Sequence, residues 1–100
     1  MEINKYYNGE KLTIVINGRI DTVTSPELEK ALSDIPSHVN VLVFDFEYVE
    51  YISSACLRVL LMAKKRLGNK GSITIANVNK IVKEVFSITG FDKFIEVIEK

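Results

Sequence analysis

Two adjacent serines, Ser53 and Ser54, stand where a strongly apolar run, Val39 to Phe46, and its short continuation give way to an amphipathic stretch. Hydroxyls at such a junction have two uses. If Ser53 is the cap of the helix that follows, its oxygen binds helix amides. Ser54 is then the first helical residue, with its hydroxyl free to point outward. A phosphate on that hydroxyl would meet the positive end of the helix dipole, and Arg58, one turn on, could pair with it. The plainer alternative is that both serines do no more than cap a helix, and spacing by itself leaves both readings open. Arg58, Met62 and Lys65 share the outer side of the same helix, and a methionine exposed between bases suits a docking face.

The remaining chemistry-bearing residues are few. Cys56 sits near the start of that helix, where the dipole could depress its pKa. A phosphate-handling cysteine loop, however, wants glycines to free its amides and an arginine about a turn and a half on. Here there is no glycine in the loop and Met62 stands in the arginine's place, so a small buried residue is the plainer reading. His38 is the only histidine, next to Pro36-Ser37, with no second ligand at metal spacing. Neither a phosphate-binding P-loop nor a G-x-G-x-x-G run occurs. The expectation is a protein without catalytic residues, metal ligands or cofactor, and not an enzyme.

The elements that must position these residues follow from periodicity. One hundred residues, 47% hydrophobic and 26% charged, suit one globular domain over residues 1–100. Ile3 to Tyr7 and Lys11 to Asn17 read as two strands joined across Asn8-Gly9, a strong hairpin signal. Leu12, Ile14 and Ile16 alternate with polar or exposed positions, so they face the core. Arg19 to Thr22 reads as a turn. A helix then opens near Thr24-Ser25-Pro26-Glu27, with Thr24 or Ser25 as its cap, carries Leu28, Ala31, Leu32 and Ile35 on one stripe, and stops at Pro36. Val39 to Phe46 suits a central strand covered on both faces. The helix from Ala55 to Leu67 turns Cys56, Leu60, Ala63 and Leu67 inward. Ser72 to Ala76 is a short strand. Asn77 or Asn79 caps a third helix through Ile88, with Val78, Ile81, Val82, Val85 and Phe86 inward, and Gly90 fits a left-handed C-terminal cap. Phe94, Ile95 and Ile98 have helical spacing, so a last helix is expected there. The fold class is therefore α/β, a mixed sheet of about four strands with helices mainly on one face.

Net charge is zero, yet Tyr51 to Lys83 contains no acid and seven bases: Arg58, Lys64, Lys65, Arg66, Lys70, Lys80 and Lys83. Such a partition concerns partners rather than fold. The bases are spread over helices and a loop without interleaved aromatics, which argues against nucleic-acid binding. No apolar run approaches a membrane span, no export signal is visible at the start, and a single cysteine allows no internal disulfide. These features are those expected of a cytoplasmic protein with no membrane association.

The run from Tyr48 through Ser53-Ser54-Ala55-Cys56-Leu57 to Leu61 resembles the signature of STAS-domain anti-sigma factor antagonists. In that family a strand ending in Asp leads through an apolar loop to Asp or Ser, the phosphorylated Ser, a small residue, Gly and Leu. Asp45 looks like the strand Asp; Ser54 falls on the phosphorylated serine, Ala55 on the small residue and Leu57 on the Leu. Ser53 stands where the best-studied members carry Asp, and Cys56 where Gly is usual. Gly18-Arg19-Ile20-Asp21 is similar to the family's Gly-x-Leu/Ile-Asp turn, whose Asp lies close to the serine, and Val85 to Phe91 resembles its C-terminal element.

The resemblance implies a non-enzymatic partner switch in which Asp21, Ser53, Arg58, Met62 and Lys65 meet the partner. Unmodified protein would bind an anti-sigma factor that is also an ATP-using serine kinase. Phosphorylation of Ser54 would separate the two, and a metal-dependent serine phosphatase would reset the cycle. The competing expectation keeps the fold without the switch, as a STAS scaffold or sensor module.

Overall fold

A computed structural model describes residues 1–100. The chain runs β1 (Glu2–Asn8), β2 (Lys11–Ile20), α1 (Ser25–Ser33), β3 (Val41–Ile52), α2 (Ser54–Leu67), β4 (Ser72–Val78), α3 (Lys80–Thr89) and β5 (Glu96–Glu99). The five strands lie in the order β1-β2-β3-β4-β5. The β1–β2 hairpin is antiparallel and every other pairing is parallel. The sheet is thus mixed, as the alternation of elements implies, and the longest strand, β3, lies at its centre.

One face of the sheet builds the core. Leu12 pairs with Leu42 and that with Ile73; Ile14 pairs with Phe44 and that with Ile75. All six are buried, in one cluster with Leu28 and Leu32 of α1, Cys56 and Leu60 of α2, and Val82 and Phe86 of α3. The helices therefore share that face. On the opposite face the row Thr13–Val43–Thr74 is only half-buried, so β3 is covered by helices on one side and not on both.

Two irregularities lengthen β3 relative to β2. Val15 pairs with Asp45 and Asn17 with Tyr48; then Gly18 pairs with Val49 and Ile20 with Ile52. Each step inserts one extra residue into β3, the signature of a β-bulge. The first is held by Asp45, whose Oδ1 accepts the Glu47 amide at 3.0 Å and the Asn77 side-chain amide at 3.1 Å. At the second, Gly18 takes φ +125°, and a Cβ there would stand 3.3 Å from the Met1 Cα. That backbone is one L side chains avoid, which is why this position wants glycine. The bulges let β2 continue through Ile20, where a turn is expected from the sequence.

One open local expectation is decided and two are corrected. Of the two caps the sequence offers for α3, the structure uses Asn79, its side chain accepting the Val82 amide at 2.8 Å. Ile81 is 63% exposed, so the inward side of α3 is Val82 and Phe86 with Val85 beside them. The segment after Gly90 is a 3-10 turn at Phe91–Lys93 followed by strand β5, not a helix. Gly90 does take the left-handed conformation expected of a cap.

Candidate functional site

The site lies where β2 and β3 run out into α1 and α2. The Ser53 amide donates to the Ile20 carbonyl at 2.9 Å, which fastens the β3–α2 junction to the β2–α1 loop. Ser53 is extended, with φ −108° and ψ 177°, and its hydroxyl accepts the Ala55 amide at 3.2 Å. That is an N-cap. Ser54 is the first residue of α2, is exposed, and its hydroxyl has no hydrogen-bond partner within the chain. The division of labour expected from the sequence is thus the one observed: Ser53 takes the cap and Ser54 is free. Ser53→Ala should lower stability by about 1 kcal/mol through loss of the cap, measured by urea unfolding. An unchanged midpoint would show the cap to be idle.

Asp21 organises the neighbouring loop. Its Oδ1 accepts the Val23 and Thr24 amides, both at 3.0 Å, an Asx-turn. The Thr24 hydroxyl accepts the Asp21 amide and reaches the Arg19 carbonyl, each at 2.9 Å. Thr24 therefore makes no side-chain cap to α1, although its position before Pro26 and Glu27 suggested one. Arg19 lies across the ring of Tyr51, 5.6 Å from its centroid, and 3.9 Å from the Asp21 carboxylate.

The amide of Thr24 holds the Asp21 carboxyl below its ordinary pKa, with the Val23 amide, the Thr24 hydroxyl and Arg19 acting the same way. A depressed carboxyl contributes stability above its unfolded-state pKa, about 3.9, and loses it as pH falls through the lower folded value. The loop should therefore hold unchanged down to about pH 4 and loosen below it. Asn at position 21 offers a similar acceptor and does not titrate. Asp21→Asn should accordingly flatten the acid side of the stability curve in urea titrations at pH 3 and pH 6; an equally steep loss in both proteins would rule Asp21 out as a contributor.

Down the outer side of α2 stand Arg58, Met62 and Lys65, all exposed, Met62 at 47%. None of the seven bases between Tyr51 and Lys83 pairs with an acid; the chain's ion pairs are Lys5–Asp34 and Arg19–Asp21. Arg58 makes no hydrogen bond to Ser54. Arg66 instead donates to the Leu32, Ser33 and Ile35 carbonyls at 3.1, 2.9 and 3.3 Å, closing the last turn of α1, whose carbonyls need donors.

Cys56 is fully buried, and desolvation pushes its thiol up to about 12. A thiol so placed is neither nucleophile nor ligand at neutral pH. A cavity of about 520 Å³ lies among Ile35, Pro36, His38, Asn40, Leu67 and Lys70, at the far end of α2 from Ser54, so His38 takes no part in the serine site. No helix is long and apolar enough to cross a membrane.

Several features at the ends of β2 and β3 escape the sequence reading. Val23 is 84% exposed in the β2–α1 loop, and Tyr48 and Tyr51 are exposed on the last part of β3. Asn79 donates to the Val49 and Glu50 carbonyls at 3.4 and 3.1 Å, tying α3 to the end of β3. The aromatic character of Tyr48 and Tyr51 was visible in the sequence, but the bulges that present them were not.

Known proteins resemble this chain. BtrV of Bordetella bronchiseptica is 32% identical over 82 residues, 80% of this chain and 71% of its own. RsfB of Mycobacterium tuberculosis, named an anti-sigma-F factor antagonist, is 25% identical over 79 residues, 78% of this chain and 65% of its own. The crystal structure of an anti-sigma factor antagonist from Mycobacterium paratuberculosis superposes with a TM-score of 0.84 at 24% identity, covering 99% of this chain and 86% of that one. The family model of the STAS domain matches residues 2–100. With that match across the sheet, the helices and the serine junction, the chain belongs to the STAS-domain family.

Proposed function

We propose that this protein is an anti-sigma factor antagonist, a cytoplasmic binding protein and not an enzyme, whose hold on its partner is set by phosphorylation of Ser54. The observation that carries the reading is the exposed Ser54 hydroxyl, unpartnered at the first position of α2 while Ser53 takes the cap. Similarity to RsfB adds to it. The partner is an anti-sigma factor with serine kinase activity, and a metal-dependent serine phosphatase reverses the modification. In the forward step the Ser54 oxygen attacks the γ-phosphorus of ATP bound to the kinase, the bond to ADP breaks, and the hydroxyl proton goes to a base of the kinase. This chain supplies only the hydroxyl and its placement.

The phosphate adds about −1.5 to −2 charge at neutral pH. In the free protein it stands at the positive end of α2, so the modified protein stays folded. In a docked interface the same charge is desolvated without a matched counter-ion, which favours release. Asp21, Ser53, Arg58, Met62 and Lys65 form the docking surface.

Incubating the protein with ATP and its cognate kinase should place one phosphate on Ser54, located by mass spectrometry. Phosphate on Ser53 would reverse the roles of the two serines. None on either, with the kinase active, would make the protein a constitutive scaffold. Met62→Glu should weaken partner binding by about tenfold or more in calorimetry with at most a small change in the unfolding midpoint, as Met62 is about half exposed. Full affinity in this variant would remove the outer side of α2 from the interface.

A further inference from the structure

Ser54, Arg58, Met62 and Arg66 follow one another down α2 a single turn apart, and all four are exposed. Beside Met62, helices α1 and α2 leave a recess of about 200 Å³ lined by Leu32, Val59, Met62 and Ala63, with Glu29 on its α1 lip and Arg66 at its end. This is below the usual size of a small-molecule site and suits the end of one large apolar side chain. Arg66 is pinned by two α1 carbonyls, Leu32 and Ser33, and by that of Ile35 just beyond the helix, which leaves N–H groups of its five over for another acceptor. Arg58 has no acidic partner, and α2 contains no acid at all.

The geometry points to a helix of the partner protein lying along α2, with one large apolar side chain seated in the recess and carboxylates one turn before and one turn after it, facing Arg58 and Arg66. Two α-helices rise equally, about 6 Å per four residues, so an acid–apolar–acid row at i−4, i and i+4 matches the Arg58–Met62–Arg66 row position for position. Glu29 on the opposite lip repels carboxylates turned toward α1, which selects the orientation. The pinned Arg66 guanidinium loses little freedom on pairing.

This deepens the reading of the protein as a phosphorylation-controlled antagonist, and rests on it for the identity of the partner. It also supplies the sign of the switch. Ser54 is the next position in the row, so its phosphate would stand at the end of the partner's line of carboxylates and repel it.

The test uses the full chain, isotopically labelled, and three capped helical peptides in one alanine-rich host: Glu-x-x-x-Leu-x-x-x-Glu, its Lys-x-x-x-Leu-x-x-x-Lys counterpart, and the first with Ala for Leu. The acidic leucine peptide should shift the amide resonances of Leu32, Val59 and Ala63 and bind about tenfold tighter than either of the others at low salt. Arg58→Glu should move the preference toward the lysine peptide, and Ser54→Asp should weaken the acidic one several-fold. Equal binding of all three peptides, or shifts confined to other surfaces, would overturn the proposal. Recess binding by a chain that holds no anti-sigma factor would leave the groove standing and sink the antagonist reading. Phosphorylation and release without any recess shift would do the reverse.

Discussion

Phe46→Ala should be the most damaging single truncation in this domain, costing about 3–5 kcal/mol. Phe46 is fully buried on β3, edge-on to Phe44 with ring centroids 6.3 Å apart, and 6.4 Å from Phe86 of α3. It packs the centre of the sheet against α3, so its truncation leaves a cavity inside the core. A small domain is stable by only about 5–15 kcal/mol, so much of the total is at stake. The unfolding midpoint should fall by about 12 °C or more. Ile81→Ala, on the solvent side of α3, is the control and should stay within about 1 kcal/mol. Similar losses in the two variants would mean that α3 packs on its other side.

The second large effect concerns binding. Ser54→Ala should abolish phosphorylation and keep the affinity of the unmodified protein, because a methyl adds neither charge nor bulk. Ser54→Asp should cost about tenfold or more in affinity for the anti-sigma partner, about 1.4 kcal/mol at least, since its carboxylate would be desolvated among the partner's own acids. Both proteins should unfold as the parent does, because Ser54 is exposed and makes no internal bond. Calorimetry with the isolated partner separates the cases; equal affinity for the two variants would refute charge as the basis of release.

The serine junction was legible because capping is local chemistry. A hydroxyl, a helix start and a basic turn are written within a few residues, and the structure places them as read. The Asp21 turn was visible only as a motif: its work, holding the Val23 and Thr24 amides, took over the Thr24 hydroxyl that local rules assign to α1. What stayed hidden depends on distant pairing. Phe94, Ile95 and Ile98 have helical spacing, yet the open edge of β4 offers backbone partners, and Thr74 and Ile75 draw Glu96 and Val97 into β5. Tertiary pairing overrides spacing in so short a segment. Ile81 was misplaced for a related reason: α3 meets the sheet along a narrow stripe, Val82 and Phe86, so a broader apolar face does not all reach the core. The two bulges of β3 have no signal in the chain except Gly18.

Asn79 couples the serine junction to α3. One side chain accepts the Val82 amide at the start of α3 and donates to the carbonyls of Val49 and Glu50 near the end of β3. Fraying of α3 therefore releases the strand end that leads into Ser53 and Ser54, and opening of that strand end uncaps α3. The two should therefore open as one cooperative unit, which amide exchange would show as residues opening with a common free energy. Ser54 is thus carried on a strand end that one side chain ties to the start of α3.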